Sequence, residues 1–246
     1  MRRLLGTLLF CGAFGAIIDP SSAHLYSQSV VVITSPKKLA AHISLDSLKR
    51  MVEVKSIIPD IIYDLRYASA NNFTRQKLYV QGQQGFLRLA PARALMYVQQ
   101  ELRDSGYALK IFDAYRPYSV TKKMWKLIQD ERYVANPAKA SNHNRGLAVD
   151  LTMVDLKTSE ETDMGTGFDN FSDTAHHSFT NLKPDVLRNR SLLRQTMVKH
   201  GFTPLETEWW HYSWTNDRNY EVLDLRFEQL KKLEKQKNAT GRLRTF

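Results

Sequence analysis

A single cysteine, Cys11, leaves no partner for an intramolecular disulfide and no thiolate metal cluster, so any metal in this chain must be held by histidine, aspartate or glutamate. None of the 11 glycines builds a glycine-rich phosphate loop, and the helices and strands read from the pattern follow no regular βαβ repeat. The apolar stretch Leu4 to Ile18 has 15 residues, short of the about 20 that an ordinary membrane span needs. Aromatic and basic residues do not alternate, so the net charge of +10 comes without a base-stacking platform, and no nucleic acid is expected as a partner. The charge suits an acidic partner such as anionic lipid or cell-wall polymer without choosing between them. The remaining composition, 43% hydrophobic and 24% charged over 246 residues, excludes disorder, collagen and coiled coil. A chain this long forms one domain or two and buries roughly 70% of its unfolded surface without staples.

The N-terminus reads as an export signal. Arg2 and Arg3 precede the apolar stretch, and Ser21, Ser22 and Ala23 offer small residues for cleavage. Residues 1–23 are therefore expected to be a signal peptide, and the mature chain 24–246 to be exported, to the periplasm, with no stable span. An uncleaved anchor is the alternative. Cys11 follows the bulky Phe10, which argues against a lipoprotein cleavage site.

Periodicity predicts short elements at Val30 to Ile33 (strand) and Leu45 to Met51 (helix), and a strand within Ile57 to Tyr67 after Pro59. Pro91 opens a helix carrying Leu95, Val98 and Leu102 that Gly106 closes, and Tyr107 to Asp113 follows as a strand. Ser119 is expected to cap a helix to about Asp130 with Val120, Met124, Leu127 and Ile128 on one face. Leu147 to Met153 and Glu206 to Trp214 read as strands, and Ser191 to His200 and Tyr220 to Lys235 as helices. The fold class expected is α+β, a single domain with helices packed on a central, mostly antiparallel sheet.

Two segments concentrate the chemistry. In SNHNRGLAVDLT, the strand after Gly146 puts Asp150 on the face with Ala148 and Thr152, and Gly146 allows a turn through which His143 and Asp150 converge. Taken alone, a structural His–Asp hydrogen bond accounts for this pair equally well. In TEWWHYSW, Glu208 and His211 would point apart on a flat strand, so a site there requires a bend or bulge; otherwise Trp209 and Trp210 are packing and Glu208 is solvated. Together the segments supply two imidazoles and two carboxylates without sulfur, which suits a catalytic zinc site of three protein ligands plus water.

The patterns S-x-H-x-x-G-x-A-x-D at Ser141 to Asp150 and E-W-W-H at Glu208 to His211 resemble the signatures of the D-alanyl-D-alanine dipeptidases, zinc enzymes of glycopeptide resistance and peptidoglycan turnover. YDLRYASANNF (Tyr63 to Phe73), FDAYRP (Phe112 to Pro117), and MGTGFDNF followed by HH (Met164 to His177) match in the same order. The resemblance implies one Zn²⁺ per chain held by His143, Asp150 and His211, with water in the fourth place. It implies Glu208 as general base and Arg116 as the group that stabilises the anionic tetrahedral intermediate. Asp169 would receive the ammonium of a small D-amino-acid dipeptide, and Tyr67 and Ser141 would contact substrate. Arg116 could instead only pair with Asp113, and Asp169 could only cap a loop. His176 and His177 match without an implied role.

The implied function is zinc-dependent hydrolysis of D-alanyl-D-alanine in peptidoglycan metabolism, by residues 24–246 with a basic tail from about residue 231. The tail (Lys231, Lys232, Lys235, Lys237, Arg242, Arg244) reads as a solvated helix end and frayed terminus. An exported enzyme would meet dipeptides or short peptides released from the wall. The alternatives are a zinc D,D- or L,D-carboxypeptidase acting on longer stem peptides, and a wall-binding domain without activity; an acid beside the metal ligands argues against the last.

Overall fold

The segments YALKIFD and AVDLTMVD pair along their length, and that pairing organises the molecule. In the computed structural model, which describes residues 30–79, 84–215 and 219–242 with side chains to Gln236, the chain runs in the following order. First come β1 (Val32–Ile33), α1 (Pro36–Leu45), β2 (Met51–Glu53), α2 (Val54–Ile57), β3 (Ile62–Tyr63), β4 (Phe86–Arg88), α3 (Leu89–Asp104) and β5 (Tyr107–Asp113). Then follow α4 (Tyr118–Leu127), α5 (Asn142–Arg145), β6 (Ala148–Asp155), α6 (Pro184–Lys199), β7 (Phe202–Leu205), β8 (Glu208–Trp214), β9 (Val222–Leu223) and α7 (Phe227–Arg242). The segment 1–23 expected to be a signal peptide and the end of the basic tail lie outside the described residues. Among the described residues no helix is long and apolar enough to cross a membrane.

The central sheet has five strands in the order β3-β5-β6-β8-β7, with β3 parallel to β5 and every other pair antiparallel. The α+β expectation holds. Val149, Leu151 and Met153 of β6 share one core with Leu95, Val98 and Leu102 of α3 and Leu193 and Met197 of α6. Each of these is fully buried and contributes on the order of 1.5–3 kcal/mol. A second core gathers Leu39 and Ile43 of α1, Val120 and Met124 of α4, and Phe227 and Leu230 of α7. The site lies on the sheet where Asp113 ends β5 and where Asp150 of β6 pairs with His211 of β8.

Tyr107 to Asp113 is the strand its alternation predicts, and α3 spans the helix opened near Pro91. Other boundaries differ. Pro36 at the first helical turn starts α1, which places Leu39 and Ile43 four apart on the core face; this helix was not foreseen. The helix expected over Leu45 to Met51 is one 3-10 turn at Ser47–Lys49, after which Met51 leaves to pair with Arg88 of β4. Ile57 to Tyr67 shortens to a two-residue strand. The helix expected at Ser191 is the back half of α6, which begins at Pro184. Tyr220 to Lys235 becomes helical only at Phe227, because Val222 and Leu223 pair in parallel with β1. Ser119 does not cap α4: Pro117 holds that position, and Ser119 donates from N and Oγ to Asp224 Oδ1 at 3.1 and 2.7 Å.

Candidate active site

His143 sits on α5, a single turn with a capping box. Ser141 Oγ accepts from His143 N at 3.2 Å, and Asn144 Oδ1 accepts from Ser141 N at 2.8 Å. Gly146 ends the turn at φ +71, a conformation that favours glycine, and a Cβ there would also crowd Met51 Cε at 2.7 Å and Arg88 N at 3.3 Å. Asn144 Nδ2 donates to Arg116 O and Thr121 Oγ1, and Arg116 N donates to His143 O, which docks the turn onto the FDAYRP segment.

Asp150 and His211 meet by register, as direct partners on β6 and β8. The bend that a site at Glu208 and His211 requires is present. Opposite consecutive β7 residues Pro204 and Leu205, the partners on β8 jump from Tyr212 to Glu208, and Glu208 Oε2 comes within 3.9 Å of His211 Nδ1. A second irregularity, in β5, makes Asp113 the partner of Asp150. Asp113 accepts from Arg116 Nε at 2.9 Å and from the hydroxyl of Tyr79.

The histidine tautomers follow from their outer partners. The carbonyl of Ala114, 2.6 Å from His143 Nδ1, can only accept, so Nδ1 carries the proton and Nε2 presents its lone pair. Ser213 Oγ, 3.2 Å from His211 Nε2, can accept a hydrogen bond from Nε2–H, which leaves the lone pair on Nδ1. The two inner nitrogens lie 3.2 Å apart, with Asp150 Oδ2 3.3 Å from His143 Nε2 and Asp150 Oδ1 2.9 Å from His211 Nδ1. One ligand atom from each of the three residues lies within 4.8 Å of the others. Two lone pairs and a carboxylate aimed at one point, each oriented by an outer hydrogen bond, fit a divalent metal. Burial alone would push the Asp150 carboxyl up, but His143 and His211 hold it well below the usual carboxylate range.

A cavity of about 230 Å³ opens beside these groups, lined by Tyr67, Arg116, Ser141, Asp169, Glu208 and Trp210 among others. That is small against the roughly 300–1,000 Å³ of ordinary ligand clefts and suits a small substrate. Burial pushes the Glu208 carboxyl up to about 8, against the pull of His211. Asp169 is likewise pushed up to about 7 by burial, although Tyr67 Oη donates to it at 2.9 Å and Phe73 N at 3.3 Å. Arg116, 7% exposed, pairs with Asp113 yet still lines the cavity, with Nη2 3.7 Å from Asp150 Oδ2 and its guanidinium over the Tyr67 ring. The pairing with Asp113 is therefore present, and it leaves Arg116 facing the cavity.

A family model described as D-ala-D-ala dipeptidase, of the M15 peptidases, matches residues 47–232. The chain belongs to this family. It is accordingly an enzyme, a metallopeptidase, as are its relatives. The D-alanyl-D-alanine dipeptidase of Escherichia coli (strain K12) is 35% identical over 173 residues, covering 70% of this chain and 89% of its own. That of Enterococcus faecium is 30% identical over 179 residues, covering 63% and 87%. Among solved structures, the LdcB LD-carboxypeptidase aligns over 76% of this chain and 73% of its own, at 18% identity and a TM-score of 0.39.

All eight residues singled out in the sequence, Tyr67, Arg116, Ser141, His143, Asp150, Asp169, Glu208 and His211, line the cavity. Two of them also serve neighbours: the Tyr67 hydroxyl goes to Asp169, and Ser141 Oγ caps the turn under His143. Missed were Ser213, Asn144 and Tyr79, which orient the lining groups, whereas Asp113 is the Arg116 partner expected from the sequence. Ser213 was within reach, since two residues after His211 on one strand is the same face. His177 is held neutral, its pKa lowered to about 4 by burial and by Arg194 and Arg190, and its backbone N donates to Glu206 O at 2.9 Å.

Proposed function

We propose that this family member hydrolyses D-alanyl-D-alanine with one Zn²⁺ held by His143, Asp150 and His211. The observation that carries the reading is the convergence of two imidazoles and Asp150 beside a buried Glu208 that stands 3.9 Å from His211 Nδ1 without a hydrogen bond to it. Zinc held there supplies Lewis acidity, polarising the scissile carbonyl and acidifying water at neutral pH.

Glu208 takes a proton from the attacking water and returns it to the leaving amine as the C–N bond breaks. Its burial makes it a strong proton acceptor once ionised, and a dication at the three ligands favours that ionised form. Arg116, fixed by Asp113, places positive charge where the carbonyl oxygen becomes an oxyanion, worth on the order of 3 kcal/mol of barrier. Asp169 receives the substrate's ammonium, which in turn favours the carboxylate over the acid. Tyr67 holds Asp169 in place, and Ser141 borders the substrate while capping α5.

The test is hydrolysis of D-Ala-D-Ala against its N-acylated form, with zinc removed and restored. Zinc-dependent cleavage of the free dipeptide, with the acylated form at least about tenfold poorer, is expected from the loss of a charge pair. Equal cleavage of both would favour a D,D- or L,D-carboxypeptidase acting on longer stem peptides; full activity without metal would overturn the reading.

A further inference from the structure

The loop from Met164 to His176 carries Asp169 near its middle, and the side chain that ties the loop together stands outside the cavity. Arg190 projects from α6 and is 5% exposed. Its Nε donates to Met164 O at 2.7 Å, its Nη2 to Thr174 O at 2.9 Å and its Nη1 to His176 O at 3.1 Å. One planar fork therefore joins the entering limb of the loop to the leaving limb. All three acceptors are neutral carbonyls, so the guanidinium serves geometry here, which a lysine ammonium cannot reproduce.

The loop needs such a tie. Asp169 adopts φ +59, the left-handed region that a non-glycine residue keeps only where its surroundings dictate it. On the entering limb, Gly165 at φ +80 packs so closely that a Cβ would stand 2.9 Å from Val186 Cγ1 of α6. Trp209 Nε1 donates to Thr166 Oγ1 at 2.8 Å, and His177 N donates to Glu206 O, so the same loop also borders the turn that leads into Glu208. This gives the matched HH pair a use through its backbone: His176 offers its carbonyl to Arg190, and His177 its N–H to the β7–β8 turn.

We infer that Arg190 is a positioning residue of this dipeptidase: by joining the carbonyls of Met164, Thr174 and His176 it holds Asp169 where the substrate's ammonium arrives, and so sets the preference for a free N-terminus. The inference rests on the reading of Asp169 as the ammonium partner.

Arg190→Lys keeps the charge and removes the fork. Gly165→Ala strains the same limb while leaving the arginine in the sequence: its backbone is at φ +80, and the new Cβ would stand 2.9 Å from Val186 Cγ1 and 3.6 Å from Arg190 Nη2. Both are measured for zinc content, thermal unfolding, and kcat and KM on D-Ala-D-Ala and on its N-acylated form, beside Asp169→Ala. The expected result is zinc content as in the parent, kcat within about threefold, KM for the free dipeptide raised about 10- to 100-fold, and a narrowed ratio of free to acylated kcat/KM. A merely structural arginine would lower the unfolding temperature and leave that ratio intact. If Asp169→Ala narrows the ratio and a folded Arg190→Lys does not, the positioning role is wrong. If Asp169→Ala itself leaves the ratio unchanged, the amine reading is wrong and this inference falls with it. If both loop variants are insoluble, Arg190 supports the fold as a whole and the local role is overturned.

Discussion

Asp150 and His211, 61 residues apart in sequence, are direct cross-strand partners whose Oδ1 and Nδ1 stand 2.9 Å apart. Neither strand could slip by one residue without sending its side chain to the opposite face, so the hydrophobic alternation of β6 and the pairing of β8 specify the proposed metal site as firmly as they specify the core.

The first prediction follows from that relationship. The purified parent chain should bind about one zinc, and His143→Ala and His211→Ala should each lose it under dialysis that the parent survives. Metal analysis of the three proteins decides it; undiminished zinc in both variants would remove the site.

Glu208→Gln separates the base from the ligands. The amide keeps nearly the same shape, and Glu208 stands 3.9 Å from His211 Nδ1 without a hydrogen bond to it, so zinc and fold should be retained. Steady-state kinetics should show kcat down by roughly 10²- to 10⁴-fold with KM changed far less. Loss of zinc in this variant would make Glu208 a ligand.

Gly146→Ala should destabilise the protein by about 1–3 kcal/mol, because the backbone there is at φ +71 and the new Cβ meets Met51 and the Arg88 backbone. For a chain of this size that lowers the unfolding temperature by roughly 2–4 °C per kcal/mol. Because Gly146 closes the turn bearing His143, zinc affinity should fall in the same variant. A calorimetric scan with and without zinc reads both effects.

Acid stability should depend on Glu221. Burial opposes its ionisation, but Lys49 and His42 at 2.5 Å and Arg88 nearby bring its pKa down to about 2. A carboxyl whose folded pKa is depressed contributes stability above its unfolded value, about 4.5, and loses it as pH falls toward the folded value. Glu221→Gln should therefore be less stable than the parent at pH 7, with the gap closing between about pH 4.5 and 2. Urea unfolding at a series of pH values checks the sign, and a gap independent of pH would show that the carboxylate charge contributes nothing.

We propose export of the chain from its first residues, and replacing Leu8 and Leu9 by aspartate should abolish it, because charges interrupt the apolar segment. Cell fractionation gives the answer: an unchanged distribution between compartments would show that the segment directs nothing.

The sequence by itself determined the strands β5 and β6, the helix α3, the mostly antiparallel α+β class and the identity of the cavity-lining groups, since each rests on local periodicity or on short motifs with fixed spacing. The boundaries it missed are those set by partners far along the chain: Met51 is a strand because Arg88 pairs with it, and Val222 is a strand because Val32 does. Whether Glu208 and His211 share a face depended on an irregularity that strand alternation does not encode, and only the pairing with β7 produced it. The tautomer of His143 likewise came from Ala114, and Ser213 is the partner that suits the matching tautomer of His211. A hydrogen bond to a carbonyl 29 residues away leaves no mark in a local pattern. Arg190 is the clearest case, because its acceptors are backbone carbonyls, which every residue carries and no sequence motif can display.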